Sequence, residues 1–215
     1  MTYIQKLRDP VSALTHIIGA VLALLGSILL IVLGWGDTIR VLVLSLYGVS
    51  LVLMFTSSGL YHAVKAGPQV ILGLRKLDHC AIYLQIAGTY TPICYQYLNG
   101  GWRWGILSVI WIMAIAGITV KLFIIKAPRW VTAGIYLVMG WLAIFAIQEI
   151  LQTLPAGALV WLISGGLFYT VGAVIYITKK PDPYPMRFGF HEIWHIFVLL
   201  GAFSHFILVL FYIAA

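Results

Sequence analysis

Charge is what this chain has least of. Only 9% of its 215 residues are charged, and just 6 are acidic. A typical soluble domain is roughly 25% charged and 45–50% apolar, whereas 62% of these residues are hydrophobic. The shortage excludes an extensive water-facing surface and leaves little room for a separate soluble domain. Cysteine is equally scarce. Cys80 and Cys94 fall in one expected helix. At 1.5 Å per residue they stand about 21 Å apart, far beyond the roughly 7 Å Cα limit for a disulfide, so they cannot pair with each other. A cleavable signal pattern is also missing. The first apolar run, from Ser12 to about Gly34, is longer than the roughly 7–15 residues of a signal h-region and lacks a small-residue cleavage site.

What the chain does have is long apolar runs. A membrane span needs about 20 predominantly apolar residues. Seven runs qualify, at approximately 13–34, 39–62, 77–98, 103–125, 131–151, 155–178 and 191–213. The expected fold is all-α, a single seven-transmembrane helix bundle covering residues 1–215. The punctuation fits. Gly34, Gly36 and Asp37 end the first run, and Asn99, Gly100 and Gly101 end the third. Pro128 precedes the fifth and Pro155 opens the sixth, where a missing backbone N–H costs least. Pro181, Pro183 and Pro185 make a stiff linker before the seventh.

The net charge of +7 is distributed by loop. Lys6, Arg8, Lys65, Arg75, Lys76, Lys121, Lys126, Arg129, Lys179, Lys180 and Arg187 fall on one side of the expected spans. Only Arg40 and Arg103 fall on the other. Cytoplasmic loops carry the Lys/Arg excess, so the expected N-terminus is cytoplasmic and the C-terminus outside. The same asymmetry accounts for the basic balance without a nucleic-acid partner. Trp35, Trp102, Trp104 and Trp130 lie near expected span ends, as interfacial aromatic belts require.

Against this apolar background the ionisable residues stand out, because such groups in membrane helices are costly and mark functional sites by default. Ser58 and His62 are four apart, as are His191 and His195, and residues at that spacing share a helix face. With the N-terminus inside, His62, Asp78, His191 and His195 all fall at the cytoplasmic end of their spans. Neutral imidazole is the commonest protein metal ligand, and three protein ligands plus water is the pattern of a catalytic zinc site. The expected metal ligands are therefore His62, His191 and His195, around a zinc ion that activates water at neutral pH. Asp78 is placed to accept a proton from that water or to orient it, and Ser58 to hydrogen-bond the water or a substrate carbonyl. Plainer readings stand beside these. The metal can be structural, Asp78 can cap the third helix, and Ser58 can be interhelical glue. His16 reads as a packing residue or an outer partner of the site. His79, His205 and Glu192 read as non-ligands, Glu192 as a helix-start charge.

Three segments, taken together and in order, carry a resemblance. Ser58-Gly59-Leu60-Tyr61-His62, Lys76-Leu77-Asp78 and His191-Glu192-Ile193-Trp194-His195 resemble the motifs of the progestin and adipoQ receptor family. The opening Ser12-Ala13-Leu14-Thr15-His16-Ile17-Ile18-Gly19 is similar to the start of its bacterial branch, hemolysin III. The resemblance implies seven helices with the N-terminus inside and zinc on His62, His191 and His195. It also implies that Ser58 and Asp78 lie beside the metal-bound water, and that the protein sits in a bacterial plasma (inner) membrane. The wider superfamily includes alkaline ceramidases, which implies a hydrolase of a lipid amide or ester, with a membrane lipid as substrate or ligand. The short tail before the first span departs from the large N-terminal domains of eukaryotic receptor members.

Three functions compete at this point. The first is a zinc-dependent lipid hydrolase, the second a receptor or sensor of membrane state held by zinc, and the third a cytolysin. A pore former needs a polar stripe through the membrane, and outside the cytoplasmic cluster these spans are nearly uncharged. Oligomeric state has no sequence signal. The orientation has a direct test. A topology reporter fused after Ala215 should be active outside the cytoplasm, and one within 179–187 should be active inside; the reverse pattern overturns the placement of the site.

Overall fold

A computed structural model describes residues 7–124, 127–185 and 187–215 of the chain; of the basic residues counted above, Lys6 and Lys126 lie outside them. The described residues form helices joined by short connections, with no strand longer than an isolated bridge between Tyr184 and Phe188. In chain order these are α1 (Pro10–Leu33), α2 (Thr38–Ala63), α3 (Pro68–Tyr97), α4 (Gly100–Phe123), α5 (Arg129–Gly140), α6 (Ile147–Thr153), α7 (Ala156–Thr178) and α8 (Phe190–Val209). A 3₁₀ segment, Leu142–Ala146, joins α5 to α6, and a wider π turn, Leu210–Ala214, extends α8. Among the described residues, six stretches are long and apolar enough to cross a membrane: α1, α2, α4, the composite Arg129–Thr153, α7 and Phe190–Ala214. This is a helical membrane bundle.

The helix starts follow local chemistry. Pro10 and Pro68 occupy the first turns of α1 and α3, where the missing N–H is no loss. Asp37 caps α2, its carboxylate accepting from the Ile39 and Arg40 amides at 3.0 Å each, as an N-cap acid should. Trp35, Trp102, Trp104 and Trp130 are all exposed near helix ends.

Helix α3 has 30 residues and is the most polar of the long helices, carrying Arg75, Lys76 and Asp78. Its position explains how it tolerates that composition. It packs against α2 and α4 along its length and also meets α5 and α8. Around it, α1 packs on α2, α7 on α8 and on α5, and α1 closes the ring against α8. Buried polar groups of α3 are satisfied by one another and by its neighbours. Ser50 donates to Gln85 Oε1 at 3.0 Å, Gln85 Nε2 donates to Thr89 at 3.1 Å, and Trp111 Nε1 donates to Thr91 at 3.2 Å. Gly88 lets α2 and α3 approach: a Cβ there would lie 2.1 Å from the Ser50 hydroxyl. Close approach at small residues and interhelical hydrogen bonds are what hold helices together in lipid. Cys80 and Cys94 are free and buried.

The expected run 131–151 is broken. Between α5 and α6 the ladder of hydrogen bonds lapses, and a side chain from α3 repairs it. Tyr90 donates its hydroxyl to the Gly140 carbonyl at 2.9 Å and accepts from the Ala143 amide at 2.9 Å. Non-regular backbone at membrane depth is tolerated where protein satisfies it in this way. Tyr90→Phe strands both backbone groups, and an unsatisfied buried donor or acceptor costs about 1–3 kcal/mol. The variant should therefore unfold at a lower temperature than wild type in detergent; an unchanged midpoint would show that the break holds without Tyr90.

Candidate metal centre

The site forms where the last turn of α2 meets the first two turns of α8. His62 is the penultimate residue of α2 and His191 the second of α8, with His195 one turn further on. One ligand atom from each of the three lies within 4.8 Å of the others. His62 and His195 are buried, and His191 is half-buried. The rings meet at centroid distances of 5.0 Å (His62 to His191), 4.8 Å (His62 to His195) and 4.7 Å (His191 to His195). This group is what the spacing of the sequence anticipates, two helices each offering one face.

Two details test whether these residues suit a metal. His62 Nε2 and His191 Nε2 are 3.3 Å apart. Metal–nitrogen bonds of about 2.0–2.1 Å in a tetrahedral zinc site separate neighbouring nitrogens by roughly that distance. One ligand atom from each histidine also lies within 4.8 Å of the other two, close enough for all three to share one ion. The donor set of three neutral nitrogens fits zinc chemistry.

The other residues singled out in the sequence sort as follows. Ser58 is buried on α2, one turn before His62. Its hydroxyl faces the Asp78 carboxylate, which is half-buried and lies in the field of His62. Because α3 begins at Pro68, Asp78 is well inside the helix, and the capping role does not apply. His16 stacks on His195 with ring centroids 3.8 Å apart and meets Phe55 edge-on at 5.2 Å, so it walls the site. His79 is outside the three-histidine group and contacts Tyr136, whose hydroxyl donates to the His79 carbonyl at 3.1 Å. Glu192 caps α8, accepting from the Gly189 amide at 2.8 Å, and also accepts from Ser12 at 3.1 Å. His205 sits deep in α8 within 3.2 Å of the Leu162 carbonyl, outside the histidine group.

Sequence reasoning passed over Asp9. Its carboxylate lies 2.9 Å from His62 Nδ1, and its amide donates to the His62 carbonyl at 2.9 Å. Arg8 reinforces the contact, with its Nε 3.0 Å from Asp9 Oδ2 and its guanidinium 4.2 Å from the Tyr61 ring centroid. The His62 hydrogen bond holds the Asp9 carboxyl below its usual range; partial burial opposes this and Arg8 assists it. Nothing in the spacing announces the pair, because an Asp followed by Pro at a helix start reads as a cap.

The histidines open onto a cavity of about 620 Å³ that also touches Ser58, Asp78 and Glu192. Arg75, Arg129 and Tyr176 line it as well, and the Arg129 guanidinium lies 5.2 Å from the Tyr176 ring. Its inner part reaches Trp141, Gly166 and His205. There it adjoins a second cavity of about 320 Å³ with almost wholly apolar walls, including Ile93, Ile106, Leu154 and Leu159.

A largely buried three-histidine group at one end of a helical membrane bundle, opening on a cavity that is polar at its head and adjoins an apolar one, defines an integral membrane protein with a candidate intramembrane metal site. Comparison with known proteins narrows the class. The family described as Haemolysin-III related matches residues 4–206, and the chain belongs to that family. It is 39% identical over 215 residues to Hemolysin-3 of Bacillus cereus, covering 99% of this chain and 94% of that protein. It is 36% identical to the Hemolysin-3 homolog of Bacillus subtilis (strain 168), covering 94% and 92%. A 147-residue stretch is 33% identical to the adiponectin receptor protein of Drosophila melanogaster, covering 61% of this chain and 33% of that protein. The fly match supports the wider progestin and adipoQ receptor grouping.

The histidine group has a simple test. Purified protein should carry a single metal ion per chain. His191→Ala and His195→Ala should each lose most of it, since a three-nitrogen site has no spare ligand, while His205→Ala should retain it. Elemental analysis after dialysis decides; loss in His205→Ala with retention in His195→Ala would overturn the ligand set.

Proposed function

We propose that the protein is a zinc-dependent hydrolase of a membrane lipid amide or ester, acting near the cytoplasmic face of a bacterial plasma membrane. The observation that carries this reading is the three-histidine group at the head of a cavity whose far end is apolar. Ligand sites are typically concave and mostly apolar, with a few polar groups that fix orientation. A lipid fits that description: its acyl chain suits the apolar depth and its carbonyl suits the polar head.

His62, His191 and His195 would hold the zinc ion, which supplies Lewis acidity toward a carbonyl and acidifies water at neutral pH. Asp78 is the proton carrier. As water adds its oxygen to the acyl carbon, the carboxylate takes the released proton. As the C–N or C–O bond breaks, the same group returns that proton to the leaving nitrogen or oxygen. Ser58 donates its single hydroxyl proton to the Asp78 carboxylate and so orients it. The helices exclude bulk water from the reacting carbonyl while leaving the mouth, beside Arg75 and Arg129, open to a polar headgroup.

A second reading has one observation in its favour. The three histidines come from two helices, so a bound metal ties α2 to α8 and can serve as a structural clamp in a sensor of membrane state. Asp78 separates the two. Asp78→Asn keeps the size and hydrogen-bonding capacity but cannot accept a proton, and general-base assistance contributes about 10²–10⁴-fold. The variant should retain its metal and lose hydrolysis of a lipid amide by that order, with Ser58→Ala milder. Full activity in Asp78→Asn removes it from the mechanism, and zinc-loaded wild type that turns over no lipid amide or ester favours the clamp.

A further inference from the structure

Asp9 is the N-cap residue of α1, yet its side chain makes no capping hydrogen bond. Asp is among the best N-cap residues because its carboxylate accepts from the amides of the first turn, and losing such a cap costs about 0.5–2 kcal/mol. Here α1 forgoes that bond. The carboxylate turns instead to His62, 53 positions away in sequence, at 2.9 Å from Nδ1. The other ring nitrogen of the same imidazole, Nε2, faces His191 Nε2 at 3.3 Å. One nitrogen of His62 therefore meets a carboxylate and the other meets the histidine group.

The contact is held from several directions. The Asp9 and Arg8 amides donate to the carbonyls of His62 and Ala63 at 2.9 Å and 3.3 Å, lacing the segment to the end of α2. Arg8 lies between the Asp9 carboxylate and the Tyr61 ring. The His62 side chain is 4% exposed and that of Asp9 41%, so the carboxylate closes the solvent side of a buried ring.

We infer that Asp9 is a positioning residue of the metal site: it accepts the Nδ1 proton of His62 and so fixes the tautomer whose Nε2 lone pair points at the metal. In a neutral imidazole one nitrogen carries the proton and the other is the acceptor, and the hydrogen bond made by the first decides which one is free to bind metal. A carboxylate in that role also raises the basicity of the ring, and removing such partners typically loosens metal binding about 10–100-fold. The inference rests on the metal reading above but names a residue outside the three ligands, on a helix that contributes none of them.

The test uses the full-length protein in detergent, with Asp9→Ala and Asp9→Asn. Zinc affinity is measured by competition with a chromophoric chelator. Asp9→Ala should raise the dissociation constant about 10–100-fold. Asp9→Asn should fall between, because its amide oxygen still accepts the proton but without the charge. Nitrogen-15 spectra of histidine-labelled, metal-free protein supply a readout that general loosening of the fold does not mimic. His62 should carry its proton on Nδ1 in wild type and shift toward the Nε2 form in Asp9→Ala. Wild-type zinc affinity in Asp9→Ala, or an Nε2–H tautomer of His62 in wild type, overturns the inference. If wild type takes up no zinc the metal reading falls, and the tautomer alone then decides whether Asp9 orients His62.

Discussion

In hydrocarbon a polar group has no water to turn to, and must find its partner inside the protein. That constraint organises this bundle around α3. A helix carrying Gln85, Thr89, Thr91 and Asp78 cannot face lipid, so four other helices touch it. Each polar side chain at its core then becomes a tie: Gln85 to Ser50 on α2, Thr91 to Trp111 on α4, and Tyr90 to the broken backbone between α5 and α6. The same central placement turns Asp78 toward Ser58 and sets it beside the histidines. The polarity that makes α3 the least convincing span by composition is what makes it the axis of the fold and one wall of the cavity.

The parts legible in the sequence were those whose cause is local. The apolar runs could be read because each outer helix has a lipid-facing side, and the exposed Leu, Ile and Val residues of α1 and α4 are of this kind. His191 and His195 could be read as one face because helical geometry fixes that relation, and a shared membrane depth added His62. Less could be read where the cause lies elsewhere in the chain. The run at 77–98 is only part of α3, which starts at Pro68. The first turns carry Arg75 and Lys76, and composition alone ends a span at such charges although the helix continues past them. The lapse near Gly140 has no proline to announce it and depends on a tyrosine 50 positions earlier.

Asp9 illustrates the limit most clearly. Its residue type and its place before Pro10 are what a helix cap calls for, and the backbone does start α1 there. Only the folded arrangement of α1 against α2 brings His62 within reach and diverts the carboxylate. Local propensity and tertiary contact compete for one side chain, and the tertiary contact takes it.

The N-terminal part of α1 extends this pattern. Asp9, Ser12 and His16 recur at helical spacing, and each meets a different part of the site: Asp9 contacts His62, Ser12 donates to Glu192 between His191 and His195, and His16 stacks on His195. A helix outside the three-histidine group thus backs both helices that form it. The arrangement carries a cost in stability. Both ring nitrogens of His16 and Nδ1 of His195 are buried without a close hydrogen-bond partner among the described residues, and a buried polar group left unpaired costs about 1–3 kcal/mol. A sequence selected only for a stable bundle would place apolar side chains at 16 and 195, as it does at the neighbouring Ala13 and Val198. Departures from local consistency of this kind are expected at functional sites. The packing of α1 on α2 and of α7 on α8 offsets that cost, which falls on the residues around the three-histidine group rather than on the apolar bundle at large.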